Sequence, residues 1–319
     1  MIFAYRRGAA GLELLPPETP LAEALWIDLY RPTEAEVHAL NDLGFMIPTL
    51  AEMEEIEISN RLYREAGMDY MTVVLPGQTP DKDQVISPVT FILAPSRLVT
   101  VRHHAPRPFE TFAVRADKSS AGCGSSGHLF LGLVEEILGR QADLLEGASR
   151  ALDAVSRRVF GKDAVQQPAI LEAAFQTLGA QGELISRIRL GLLTMERTVA
   201  YFSQALEDHP ELKPLRAHAK SRLRDLQALE VHADFLSSRL SFTTDATMGL
   251  VNLAQNVTVR IVSVVAVLFL PPTLIASVFG MNFASMPTLS HPWGFPLSLA
   301  LMLGSAVATY VIFKWRDWL

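Results

Sequence analysis

One stretch without charge constrains this chain more than any other feature. No Asp, Glu, Lys or Arg occurs in the 53 residues from Ile261 to Phe313, although the 319-residue chain carries 62 such residues elsewhere. Within it, Ile261–Phe279 and Gly294–Phe313 each supply the roughly 20 apolar residues that a helix needs to cross a bilayer. The sequence therefore predicts two C-terminal transmembrane helices in a lipid bilayer, joined by a short outer loop at 280–293.

The flanking charges predict how this hairpin is oriented. Arg260 precedes the first span, and Lys314 and Arg316 follow the second. Basic residues beside a span favour the cytoplasmic side, so we expect a cell (inner) membrane protein with both termini in the cytoplasm. No long apolar segment follows Arg6 and Arg7, so no secretory signal is expected. The net charge of −6 argues against nucleic acid as a partner.

The rest of the chain has an ordinary soluble composition and predicts an α+β fold. Short apolar, β-branched runs at 24–30, 70–76, 88–94 and 97–103 indicate strands, and 33–43 and 48–63 indicate helices. Beyond the small residues at 119–127, long helices are predicted at 128–160, 171–206 and 211–279. We therefore expect an α/β cytoplasmic domain at 1–125, a helical hairpin and stalk at 126–260, and a membrane domain at 261–319.

The last of these helices carries two patterns. A partly heptad-like apolar stripe predicts that the stalk packs on helices of other copies, in a homo-oligomer; it comprises Leu215, Leu223, Leu226, Leu229, Ala233, Leu236 and Leu240. A second face mixes small, polar and modest apolar residues: Asn256, Val259, Ser263, Ala266, Leu270, Thr273 and Ser277, with Val262 beside it. This face fits either a pore lining or close helix packing. Pro271 and Pro272 are expected to kink or loosen the helix there.

Other constellations have plain structural interpretations. The glycines of 122–127 fit a dinucleotide-binding pattern in form, but the preceding residues do not read as a strand, which favours an interdomain loop. His218, Asp225 and His232 recur every seven residues and fit either a divalent-ion site between stalks or a solvated face. The single cysteine, Cys123, excludes an intramolecular disulfide.

The end of the first span carries a family resemblance. The run LPPTLIASVFGMNF ends in Gly280, Met281 and Asn282, with a second span after it and a long helix and an α/β domain before it. This arrangement resembles the CorA family of divalent-cation channels. The resemblance implies a homopentameric funnel in which the first span lines a central pore. It places Gly280, Met281 and Asn282 at the outer mouth, where Asn282 holds a hydrated ion through its waters.

The resemblance also implies roles further along the pore. Asn256 and Thr273 fall on polar positions, Val259, Val262 and Leu270 on apolar constrictions, and Asp245 on the acidic cytoplasmic end. The implied function is Mg²⁺ uptake gated by cytoplasmic divalent ions, with Co²⁺ or Ni²⁺ as further cargo and no cofactor. Two features depart from the family: the outer loop lacks acidic residues, and Val259 and Val262 are smaller than usual, which suggests a leakier gate.

Two alternatives stay open. The outer-loop His291 keeps open a zinc transporter of the same family, with or without coupling to protons. The hairpin could instead tether a membrane-anchored sensor or enzyme, although the α/β domain shows no phosphate loop, nucleophile–base motif or metal-ligand cluster.

Overall fold

The computed structural model describes residues 1–8, 11–161, 167–208, 214–281 and 292–316. Its mixed α+β fold divides into two compact units. Unit 1 comprises Met1–Arg157 and Ala174–Thr244, and unit 2 comprises Arg158–Ala173 and Asp245–Leu319. The boundaries predicted at 125 and 260 stay predictions, and one helix runs through residue 260 without a break.

The described residues form seven strands and eight α-helices. The strands are β1 (Ile2–Gly8), β2 (Gly11–Leu14), β3 (Trp26–Tyr30), β4 (Leu62–Glu65), β5 (Met68–Gln78), β6 (Gln84–Leu93) and β7 (Leu98–Arg102). The helices are α1 (Glu34–Asn41), α2 (Leu50–Glu54), α3 (Ile58–Arg61), α4 (Pro108–Arg115), α5 (Ser126–Val159), α6 (Pro168–Asp208), α7 (Leu215–Phe279) and α8 (Gly294–Trp315).

The seven strands form one sheet in the order β2-β1-β3-β7-β6-β5-β4. Neighbouring strands are antiparallel except for β3 and β7, which run parallel with Trp26 opposite Leu98. All five residues of β7 are buried, as are the last six of β6. A strand covered on both faces reads as a continuous apolar run, which is why the sequence signals β6 and β7 so clearly.

The sheet has different partners on its two faces. On one face, Leu40 of α1 and Met53 of α2 belong to the same buried cluster as Leu29 and Tyr70 of the strands. On the other face, rings of α4, α5 and α6 continue the core through the pairs Trp26–Phe112, Phe91–Phe130 and Phe130–Phe202, at 5.6, 5.4 and 4.8 Å between centroids. Both faces of the central strands are thus buried by helices of unit 1.

A buried ion pair joins the two parallel strands. The Arg102 guanidinium donates to both carboxylate oxygens of Asp28, with Nη2 2.8 Å from Oδ2, and to the carbonyl of His104. Thr100 donates to Asp28 at 2.8 Å and accepts the indole N–H of Trp26 at 3.1 Å. Each charged group in this network therefore has the partners that burial requires.

The predicted strands at 24–30, 70–76, 88–94 and 97–103 are confirmed, and so is the helix at 33–43. The helix predicted over 48–63 is wrong as one continuous helix, since the range forms two short helices, α2 and α3, and ends in β4. Thr49 and Glu52 form a capping box that starts α2, but α2 ends at Glu54, and α3 is followed directly by β4. Tyr63 of β4 stacks on Tyr70 of β5 at 4.7 Å, so pairing with β5 overrides the local helical pattern.

The three long helices are confirmed, but the apolar stripe on the last one packs largely within the chain and not, as expected, on other copies. Leu215, Leu226, Ala233 and Leu236 are buried within the chain itself. Helix α7 pairs with α5 through Arg239 and Asp153, and with α6 through Asp234 and Arg189 at 2.8 Å. Leu223, Leu229 and Leu240 are half-buried, so the chain itself covers most of the stripe and this pattern does not require partner copies.

Candidate functional site

The predicted pore residues lie on the part of α7 that belongs to unit 2. Asp245, Asn256, Val259, Val262, Leu270, Thr273 and Ser277 are all exposed positions of this one helix. Helices α7 and α8 are the two described helices that are long and apolar enough to cross a membrane, and their most apolar windows are 0% and 6% buried. The described parts of the predicted spans therefore form helices whose side chains are largely uncovered.

The burial of α7 within the first span follows the helical period. At 100° per residue, the predicted pore residues from Asn256 to Ser277 occupy an arc of about 120°. The half-buried residues of the same segment are Val264, Leu268, Pro271, Pro272, Ile275 and Phe279. They cluster on the opposite side, about 170° from the centre of the predicted pore face. The chain thus partly covers one side of this helix and leaves the predicted pore face open.

The apolar side chains of this open face are mostly exposed. Val259, Val262 and Leu270 are 62%, 63% and 67% exposed. Large apolar groups in contiguous exposed patches mark a surface for other protein or for lipid. Short aliphatic rings around a narrow path also gate ions, because such a constriction loses its water.

The polar part of the face includes Thr273, one turn beyond Leu270, a predicted constriction. Its hydroxyl donates to the Phe269 carbonyl at 2.7 Å, which leaves the hydroxyl oxygen able to accept a hydrogen bond. Helix α7 continues through Pro271 and Pro272. Because proline has no N–H, the carbonyls of Val267 and Leu268 lose their usual helical donors.

At the C-terminal end of α7, the structure describes Gly280 and Met281, whereas Asn282 and the predicted loop residues up to His291 lie outside the described residues. The Gly280 N–H donates to the Ala276 carbonyl at 2.9 Å. A Cβ at Gly280 would lie 3.0 Å from that same carbonyl oxygen, which favours glycine at this position. Met281 follows with 47% of its surface exposed.

Within one chain, the stalk residues His218, Asp225 and His232 are not grouped around a metal site, and a site shared between stalks of different copies stays a prediction. Asp225 pairs with Arg222 at 3.1 Å, and His232 stacks on Phe235. His218 is close enough to His128 to contribute, after burial, to lowering the pKa of the His128 imidazole. No group of three or more His, Cys, Asp or Glu side chains within the described ranges is arranged to hold a metal ion.

The glycine-rich segment is a loop, as the sequence suggests. A short 3-10 helix, Ala116–Lys118, precedes it in place of a strand, and α5 begins at Ser126. His104 is also structural: it is buried, with Nε2 2.9 Å from the Leu75 carbonyl, and burial lowers its pKa to about 4. The Asp28–Arg102 pair is absent from the sequence-based predictions. The sequence does carry a signal for it, because Asp28 is the one acidic residue in the apolar strand at 24–30 and Arg102 is a basic residue in the apolar strand at 97–103.

Comparison with known proteins agrees with this architecture. The CorA-like Mg²⁺ transporter protein family matches residues 22–315. The chain is 33% identical to the magnesium transport protein CorA of Yersinia pseudotuberculosis over 94% of its own length and 93% of that protein, and 31% identical to that of Escherichia coli K12 over the same shares. The complete CorA structure from Methanocaldococcus jannaschii superposes with a TM-score of 0.71 at 18% identity, covering 100% of this chain and 99% of that one. This chain therefore belongs to the CorA-like Mg²⁺ transporter family.

Proposed function

We propose that this protein is a homopentameric channel that admits Mg²⁺ to the cytoplasm down its electrochemical gradient. The family it belongs to consists of membrane transporters, which sets aside the interpretation as an anchored enzyme. The named relatives transport magnesium. The basic residues beside the two spans support an inner-membrane protein with both termini in the cytoplasm.

The observation that carries the proposal is the open face of α7. Two helices per chain cannot enclose a water-filled path, so a pore needs several copies around an axis. A face that mixes Asn256, Thr273 and Ser277 with Val259 and Leu270 suits such an axis better than it suits lipid. Its position opposite the half-buried side of α7 supports turning it toward other copies.

The chemistry of the face suits a hydrated ion. Mg²⁺ gives up its water shell reluctantly and is commonly bound through its waters. Amide and hydroxyl oxygens accept hydrogen bonds from those waters but bind weakly enough to release the ion. In the proposed mechanism, Asn282 selects the hydrated ion at the outer mouth, while Val259, Val262 and Leu270 form the apolar constrictions that gate it.

The decisive experiment is Mg²⁺ uptake by the purified protein in liposomes loaded with a Mg²⁺-sensitive dye. Wild-type protein should carry Mg²⁺, and Asn282→Ala should abolish the flux. Thr309→Val is the matched control, because the Thr309 hydroxyl donates to the Ser305 carbonyl within α8. Flux in Asn282→Ala equal to that of the wild type would overturn the assignment.

Two finer parts of the proposal need their own measurements. Closure by cytoplasmic divalent ions predicts that Mg²⁺ on the internal face slows uptake. If Co²⁺ and Ni²⁺ are further cargo, both ions should compete with Mg²⁺ for uptake. The zinc alternative predicts Zn²⁺ uptake that persists in excess Mg²⁺ and stops when the pH gradient is removed. Uptake of Zn²⁺ alone would replace Mg²⁺ as the cargo.

A further inference from the structure

Asn252 lies on the open face of α7, one helical turn before Asn256. At 100° per residue, Asp245, Asn252 and Asn256 fall within about 40° of one another. All three are exposed. Thr247 is buried and Leu250 and Ala254 are half-buried, and these three residues lie about 140–160° around the helix from Asn252. The burial pattern thus assigns Asn252 to the same side as the predicted pore residues.

The spacing of these polar side chains leaves one interval for Asn252 to fill. Along an α-helix, Asn252 and Asn256 are about 6 Å apart, and Asp245 and Asn252 about 10 Å. Gly249 contributes no side chain to this interval, and Met248 is apolar and 55% exposed. Without Asn252, the polar side chain left on this side of α7 between Asp245 and Asn256 would be that of Gln255, which lies about 60° around the helix from Asn252 and directly beside Asn256.

An amide at this position matches the cargo in chemistry and in size. Each amide oxygen accepts hydrogen bonds from the waters around Mg²⁺, and it carries no charge that would trap the ion. Two sets of amides one turn apart lie close enough for one hydrated ion to bridge them. Transfer between neighbouring weak sites is what allows an ion both to bind and to leave.

Resting on the proposed function, we propose that Asn252 is a cation-binding residue of the pore. In the assembled protein, its amides form a second polar ring on the cytoplasmic side of Asn256. This ring passes the hydrated Mg²⁺ between Asn256 and Asp245.

The test is Mg²⁺ uptake into liposomes by the full chain carrying Asn252→Ala, Asn252→Gln or Asn252→Asp. Losing the amide ring should slow uptake about tenfold, equivalent to about 1.4 kcal/mol of lost water-mediated binding. Asn252→Gln should restore most of the rate because it returns an amide to the face. Asn252→Asp should lower both the half-saturating Mg²⁺ concentration and the maximal rate, because carboxylates hold the ion more tightly.

The matched control is Thr258→Val, since Thr258 lies off this face and its hydroxyl donates to the Ala254 carbonyl. If the wild type needs Asn282 for flux while Asn252→Ala and Asn252→Asp behave as wild type, this inference fails and the proposed function stands. If the wild type carries no Mg²⁺, the proposed function itself fails. A lower half-saturating concentration in Asn252→Asp would not follow from misfolding, which can only remove active protein.

Discussion

The sheet of unit 1 and the predicted membrane span of α7 differ in which side chains they bury and which they expose. In the sheet, Asp28, Thr100 and Arg102 are buried charged or polar groups, and each has hydrogen-bond partners within the chain. In α7, Val262 and Leu270 are aliphatic groups with about two thirds of their surface uncovered. In the sheet, one chain supplies the partners of these buried polar groups. In α7, aliphatic side chains remain exposed, and their contact with water is unfavourable.

This difference separates stability from function. A buried network changes the free energy of unfolding when one member is removed, because its partners remain buried. An uncovered face contributes little to the folding of one chain, so its residues are free to serve assembly and ion passage. Substitutions in the two regions should therefore change different measurements.

The largest effect is expected for Arg102→Met. It leaves the Asp28 carboxylate buried without its cation, which should lower the free energy of unfolding by about 3–5 kcal/mol. Denaturant titration of the full chain in detergent measures this loss, with hydrogen exchange of the β3 and β7 amides reporting its location. Arg150→Met removes an exposed pair with Glu146 and should cost about 0.5 kcal/mol or less. Equal effects of the two substitutions would contradict the contrast.

The second prediction concerns pH and the buried His104. Its pKa is about 4 in the folded protein, against about 6.5 when unfolded. Above pH 6.5 the imidazole of His104 is predominantly neutral in both the folded and the unfolded state. Between pH 6.5 and 4 the unfolded state binds a proton that the folded state excludes. The free energy of unfolding should therefore fall by up to about 3 kcal/mol over that window.

This pH effect is measured by repeating the denaturant titration of unit 1 signals at several pH values. His104→Gln keeps a side-chain donor for the Leu75 carbonyl but has no titrating ring. The variant should show a flatter dependence on pH between 6.5 and 4 than the wild type. An unchanged slope would assign the acid sensitivity to other groups.

The smallest effect is expected from a pair of substitutions on opposite sides of α7. Leu270→Ala widens a predicted constriction and should raise Mg²⁺ uptake about threefold, because a wider apolar ring stays wet. It should leave thermal unfolding in detergent unchanged. Ile275→Ala, on the half-buried side, should lower thermal stability while changing uptake less than Leu270→Ala. The reverse assignment of the two effects would place the pore on the other side of the helix.

The sequence predicted those parts of the fold whose local pattern agrees with their final environment. Strands β3, β5, β6 and β7 are apolar runs because helices cover both faces of the central sheet. The long helices repeat apolar residues at helical spacing. Strands β1 and β2 were not predicted, because residues such as Arg6, Arg7 and Glu13 interrupt the apolar pattern. The pair between Arg6 and Glu13 forms only when the two strands are aligned in the sheet.

The remaining errors arise from contacts between distant residues. The predicted helix at 48–63 includes the first two residues of β4, because the stack of Tyr63 on Tyr70 does not show in the local pattern. The stripe on α7 suggested partner copies because periodicity says that a face is covered, not which chain covers it. For the candidate site, spacing was enough to group Asn256 through Ser277 on one face. The role of Asn282 rests on the family pattern and stays a prediction.

The contacts that complete unit 1 have a consequence for the order of synthesis. The backbone N–H of Val74 donates to Thr194, 120 residues later, and Tyr201 donates to Asp69 across 132 residues. The sheet therefore cannot acquire its full helical cover until α6 has been made. All of unit 1 nevertheless precedes Ile261 in the chain. A ribosome making this protein thus exposes all of unit 1 before the first predicted span, so unit 1 can fold before membrane insertion begins.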